Sequence, residues 1–318
     1  MTERGPLLRW FLSPVPLHRV ALMRVVAYLF ILIDVFLTTT YVAAKATAPS
    51  EFYRPLAISQ LLHLPVPTYG YVTTLQWILV VAALIAATGW QPRWTGSIVA
   101  ICYLLWMIIG MSYGKVDHDR YAYLILLFVL PTIGPAKLGD RRLSERAGWA
   151  FQMVFLAIML TYFLSSVAKL RFGGIDWPTG ATITRAVVRR GTFFSHWMLS
   201  VPYMLVIVQF VMMACELLSP LMLLCRSAKA RMLLVTGLLL FHIGTYATLT
   251  IIFLPHCIAI LSLLPWGDVR CTWAQMRGHR ARGGAAGQPV TVSGDPSIDD
   301  RGDGTDDRQR DQQTENAP

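Results

Sequence analysis

The sequence predicts an all-α protein, a polytopic helical membrane bundle of about eight transmembrane spans with no soluble β domain. Three observations carry this. Of 318 residues, 55% are hydrophobic and only 14% charged, with mean hydropathy +0.50, where a soluble domain carries about 25% charge. The apolar residues form runs long enough to cross a hydrocarbon core. Tryptophans 90, 94, 149, 177, 197 and 266 fall at the predicted ends of those runs, as an interfacial aromatic belt does.

In chain order, residues 1–19 form a short cytoplasmic basic segment, 20–266 the transmembrane domain, and 267–318 a cytoplasmic tail. The first run, Val20 to Ala44, is too long for a cleaved secretory core and reads as a retained span. A proline-punctuated loop follows to Gly70, with a short interfacial helix expected at Leu56–Leu64. Spans two and three, about 72–88 and 96–112, flank a tight Gly89–Trp94 connection. The charged segment Lys115–Arg120 precedes a short fourth span ending at Pro131, and span five runs from Trp149 to Ala168.

Within 178–196, Ile183, Ala186 and Val187 share a helical face while Arg185, Arg189 and Arg190 lie off it, which suits a helix lying in the membrane interface. Span six covers about 197–225, with bends at Pro202 and Pro220. The apolar stretch from Met232 to Pro265 would measure about 51 Å as one helix, against a core of about 30 Å, so Pro255 divides it into two spans. From Gly278 the tail has almost no large apolar residues, a composition for which disorder is the default.

Lysine and arginine are divided unevenly between the two predicted faces. Twelve collect on the face holding Arg4, Lys137 and Lys229, and nine on the face holding Lys115, Lys169 and Arg185. The bias places both termini in the cytoplasm and leaves the outer face unusually basic. The location implied is a plasma membrane of bacterial type. The basic balance is explained by topology and by contact with membrane lipid headgroups, and no pattern of interleaved basic and aromatic residues suggests nucleic acid. The five cysteines show no Cys-x-x-Cys spacing and read as small apolar residues packed between helices. Asp117, His118 and Asp119 are adjacent and flanked by Lys115 and Arg120, an arrangement that does not converge on a cation, so no metal site is expected. His242 and His256, fourteen residues apart with Pro255 between them, are equally poor haem ligands.

Ionisable groups inside spans are functional candidates. Asp34, Glu216 and His242 each lie ten or eleven residues from a basic residue at the cytoplasmic end of their span. That puts all three roughly 15–16 Å deep, where they could meet, either at a functional centre or as a tie between helices. Lys169 falls at the outer end of span five. It is either a snorkelling anchor or an amine partly buried by apolar neighbours, which shifts it toward the neutral form that acts as a base.

Three ordered stretches resemble the membrane region shared by the vitamin K-dependent γ-carboxylase and the bacterial HTTM proteins. They are Lys115-Val-Asp117-His118 leading to Tyr121 and Tyr123; Tyr162-Phe163 through Lys169-Leu170 to Asp176-Trp177 and Gly180; and Glu216-Leu217 followed by Phe241-His242. The resemblance covers roughly residues 18–266. It implies oxygenation or deprotonation of reduced vitamin K, menaquinol or a similar amphiphile at the outer face, with Lys169 as base. It also implies that His118 supports that lysine or a quinone oxygen. The carboxylase's lumenal β-rich region has no counterpart in this sequence, so small-molecule rather than protein-substrate chemistry is implied.

This reading expects a pocket near Lys169 lined by Tyr162, Ser166 and His118, with Asp117, Trp177, Glu216, His242 and Asp34 as further binding or polar-core residues. The alternative is a non-enzymatic scaffold or carrier: a scaffold has Asp34, Glu216 and His242 fully paired and leaves no cavity, whereas a carrier has internal repeats with broken helices, of which the sequence shows only weak self-similarity.

Overall fold

A computed structural model describes residues 5–225, 227–264 and 266; the expectations for Arg226 and for residues 267–318 lie outside the described residues. The fold is helical. Among the described residues the only strands are Val15–Pro16 and Leu143–Ser144, paired antiparallel.

A short helix α1 (Pro6–Phe11) precedes α2 (Leu17–Ile33), which continues into a π-helical turn, Asp34–Thr38. The small helices α3 (Tyr41–Lys45) and α4 (Ala57–Leu61) lie in the loop that follows. Next comes the hairpin of α5 (Tyr69–Ala87) and α6 (Pro92–Met111). Its turn uses left-handed backbone at Gly89 and Gln91, and Pro92 at the first helical position supplies a preset φ. Helix α7 (Tyr121–Val129) tightens into a 3-10 turn through Ile133, where Pro131 removes an amide donor. The longest helix, α8 (Glu145–Gly173), is started by Ser144, whose Oγ accepts from the amide of Ala147 at 3.2 Å.

Beyond Gly174 come α9 (Thr182–Arg190), α10 (Phe193–His196), α11 (Met204–Leu217), α12 (Ala228–Leu249) and α13 (Leu254–Leu261). Helix α9 presents Val187 inward and Arg185, Arg189 and Arg190 outward, as its spacing predicts.

Five segments are long and apolar enough to cross a membrane: Leu17–Thr38, Tyr69–Ala87, Pro92–Met111, Glu145–Gly173 and Ala228–Leu249. A sixth arises if Phe193–Ser200 and Met204–Leu217, bent by 115°, count together. Their outer faces remain apolar, with Trp77, Ile101, Leu164, Leu233 and Ile243 more than half exposed, as lipid-facing surfaces are. The interior is filled by Trp106, Tyr28, Tyr103, Tyr123 and Leu126, all fully buried.

Arg24 and Arg120 turn into the bundle rather than toward an interface. Arg24 is buried and donates from Nη2 to the Leu130 carbonyl at 2.8 Å. Arg120 pairs with Asp34, its Nη1 lying 2.6 and 2.7 Å from the two carboxylate oxygens. Tyr103 donates to the same carboxylate at 2.9 Å, and Thr38 adds a further hydrogen bond. The π-helical turn brings Thr38 and Thr39 back over Asp34, and Trp106 Nε1 donates to Thr39 Oγ1 at 2.9 Å. Asp34 therefore ties α2 to α6 and to the turn before α7.

Candidate functional site

The other two intramembrane groups lie elsewhere. Lys169 is two residues from the last basic residue of α8, and its stem runs toward α11. There Nζ donates to Glu216 Oε2 at 2.5 Å. The carboxylate is nearly buried and the lysine side chain is 23% exposed, so water screens this pair only partly. Nζ also sits 5.1 Å from the centre of the Trp177 ring. Trp177 can pack there because position 173 is glycine: a Cβ would come within 2.4 Å of the indole. The Trp177 carbonyl accepts a hydrogen bond from Gln209 Nε2, and Gln209 Oε1 accepts from the Ile183 amide at 2.8 Å. Gln209 thus fastens both the tryptophan and the start of α9 to α11.

Asp34, Glu216 and His242 do not meet in one cluster. A common depth for Glu216 requires one continuous α-helix over 216–226. Residues Ser219–Leu224 instead form a 3-10 coil, which rises about 2.0 Å per residue rather than 1.5. His242, on α12, meets α8: its Nε2 lies 2.7 Å from the hydroxyl of Tyr162.

These groups converge on a cavity of about 570 Å³. Its polar lining includes Lys169, Glu216, Trp177, Tyr162, His242, His118 and Asp119, and the rest is mainly apolar side chains of α9, α11 and α12. Two further cavities adjoin it. One of about 450 Å³ shares Tyr162, Glu216 and Phe241 and lies against α11 and α12. The other, about 1050 Å³, shares His118, Lys169 and Trp177 and lies between α7 and α8.

The structure sorts the sequence-predicted residues. Lys169, His118, Tyr162, Glu216, His242 and Trp177 line one cavity. Ser166 does not; it is fully buried, with Oγ bonded to the Phe163 carbonyl at 2.8 Å, and its neighbour Ser165 lines the cavity instead. One residue along an α-helix is a turn of about 100°, enough to exchange the two faces. Asp117 is also outside the lining, held by Tyr41 at 2.8 Å and Lys115 at 2.6 Å. Those two hydrogen bonds outweigh burial and keep the Asp117 carboxyl below its ordinary pKa. Asp119 faces the cavity in its place, and burial raises its pKa, opposed by Arg120. Asp34 belongs to the separate network with Arg120.

Two contributors escaped the sequence reading. Gln209 shares α11 with Glu216 on a mainly apolar helix, and a buried amide of this kind needs partners. His256 is fourteen residues from His242 across Pro255, a spacing that does not announce a contact. The chain reverses between them: Thr250 is left-handed at φ 55°, residues 251–253 are non-helical, and Pro255 lies in the first turn of α13. The imidazole centres come to 5.4 Å. Among the described residues no three His, Cys, Asp or Glu side chains form a group able to hold a metal ion.

Fold and site together define a helical multi-pass membrane protein with a mostly apolar cavity whose main ionisable groups sit on α8, α11, α12, α13 and the turn before α7. Compared with protein-family profiles, curated proteins and solved structures, the chain matches none.

Proposed function

We propose that the protein binds a membrane-soluble amphiphile in the Lys169 cavity and performs acid–base chemistry on its polar head, with a reduced quinone as the leading substrate class. The observation that carries this is the Lys169–Glu216 pair, 2.5 Å apart, set in a cavity otherwise lined mainly by apolar side chains. Such a wall accepts a hydrocarbon body, and the few polar groups orient a head.

A bound reduced quinone supplies an acidic ring hydroxyl and, in a carboxylase-like reaction, the two electrons that reduce molecular oxygen. Lys169 passes a proton to Glu216 across their short contact and its amine then accepts the hydroxyl proton. The resulting ammonium stays beside the new anion and stabilises it. Trp177 confines the ammonium by a cation–π contact. His118 lines the same cavity and can hydrogen-bond a head-group oxygen.

The topology that fits this role has eight passages, with 121–133 and 254–266 as short returns. Hydrogen bonds from Arg19 to the Ser262 carbonyl and between His18 and the Trp266 carbonyl, at 3.1 and 2.6 Å, support a common end for the first and last passages. The basic count puts that end in the cytoplasm, and the cavity opens near the outer surface of a plasma membrane of bacterial type.

A scaffold reading is favoured by the fully engaged Asp34 carboxylate, but a cavity at Lys169 is what that reading does not require. Oxygen consumption with menaquinol, in wild type and Lys169→Ala, tests the assignment. Quinol-dependent uptake that disappears in the variant is expected; uptake that persists removes Lys169 as the base. Mass spectrometry of lipids and quinones retained by gently purified protein tests the ligand class separately.

A further inference from the structure

His256 is 2% exposed, lines the Lys169 cavity, and neither ring nitrogen has a hydrogen-bond partner within the protein. The Asp119 main chain lies beside it without completing a hydrogen bond of good geometry. His242, 7% exposed, uses Nε2 on Tyr162 and leaves Nδ1 without a partner. The Tyr162 ring stands edge-on to His256 at 5.0 Å. Buried polar atoms are almost always bonded, so two imidazoles with three uncommitted nitrogens on one cavity wall mark a place built for a hydrogen-bonding ligand atom.

We infer that His256, with Nδ1 of His242, forms a second and uncharged pole of the site. It receives an oxygen of the amphiphile's head while Lys169 and Glu216 hold another. This rests on the reading that the cavity takes an amphiphile and adds that its head carries two oxygens. Tyr162 and Lys169 are seven residues apart, nearly two full turns, so they share a face of α8 about 10 Å apart along its axis. His256 packs against Tyr162, so its pole and the Lys169–Glu216 pole are separate points on the wall of one cavity. A ring that carries two hydroxyls can engage both; a ring with a single hydroxyl engages only one.

The test uses the full chain in detergent, without oxygen, and calorimetric binding of 1,4-dihydroxynaphthalene and of 1-naphthol. Wild type is expected to bind the diol about tenfold more tightly, the equivalent of one net hydrogen bond. His256→Phe keeps a ring but removes both nitrogens. It is expected to weaken the diol to the level of 1-naphthol, leave 1-naphthol unchanged, and not lower the ligand-free unfolding temperature, as loss of a merely structural histidine would. A variant that retains the tenfold preference overturns the proposal.

Nitrogen-15 NMR of histidine-labelled wild type supplies an answer independent of how the variant folds. The His256 ring nitrogens are expected to shift with the diol and not with 1-naphthol, and equal responses to both count against the second pole. If wild type binds both equally, only the second pole fails. If it binds neither, the amphiphile reading fails and this proposal with it.

Discussion

Lys169 and Glu216 meet at 2.5 Å between α8 and α11, while Gln209, also on α11, donates to the carbonyl of the neighbouring Trp177. The ion pair is therefore part of the packing as well as of the cavity. Lys169→Met and Glu216→Gln should each destabilise the protein, because each leaves a partly buried partner alone. The double substitution should recover part of the loss, with a coupling of about 0.5–3 kcal/mol. Thermal unfolding of the four proteins in one detergent measures it; additive effects would mean that the pair is not coupled.

Asp34→Asn leaves the Arg120 guanidinium in the core without its counter-charge. Breaking a buried pair costs about 3–5 kcal/mol. The loss should appear in thermal stability, with quinone retention at low temperature unchanged, since neither residue lines the Lys169 cavity. Parallel loss of retention would tie this network to the site.

Gly148→Ala should be destabilising whatever the ligand. A Cβ at this position on α8 would lie 1.9 Å from the Ser13 carbonyl oxygen, and backbone cannot rotate away as a side chain can. Overpacking of this kind costs about 1–3 kcal/mol. A variant as stable as wild type would show that residues before α2 do not pack on α8.

The Asp117 carboxyl has a lowered pKa in the folded protein, with burial opposed by Lys115 and Tyr41. A lowered acid pKa means that its stabilisation is present above the unfolded carboxylate pKa and lost as pH falls through the folded value. Acid should therefore loosen the contact between the Lys115–Asp117 loop and Tyr41, and Asp117→Asn should remove that part of the acid sensitivity. Hydrogen exchange of residues 41–45 and 113–118 against pH reads this out.

Arg185, Arg189 and Arg190 project from α9 beside Phe193, Phe194 and Trp197, each more than half exposed, and the opposite face of α9 lines the cavity. Each basic residue near an anionic surface contributes about 1 kcal/mol. Replacing all three with Gln should markedly reduce co-purified phosphatidylglycerol, and added salt should weaken the wild-type association. Equal retention in the variant would assign the arginines to solvent.

Much of the fold is legible in local sequence because a bilayer imposes a simple rule: backbone polar groups must be satisfied within helices, so apolar length announces them. The amphipathic α9 is readable from the placement of its arginines, and a break within 232–265 from length alone, although it falls at 250–253, just ahead of Pro255. Lys169 could be singled out because it ends an apolar run, and Tyr162 and Trp177 because they stand in the same motif-bearing stretch.

The partners of these residues could not be read in the same way. Asp34 and Glu216 look alike from sequence, each an acid within a span, yet one faces Arg120 and the other Lys169. That choice depends on the π-helical turn at 34–38, the 3-10 coil at 219–224 and the 115° bend before α11. Each changes rise or rotation by an amount that periodicity does not encode. The same holds for Ser165 against Ser166 and for Asp119 against Asp117, where a rotation of one residue selects the face. Composition and apolar length determined a helical membrane protein with Lys169 at the end of a span. Only tertiary packing decided that Lys169 meets Glu216, and that a chain reversal at Thr250 sets His256 against His242 on the wall of the same cavity.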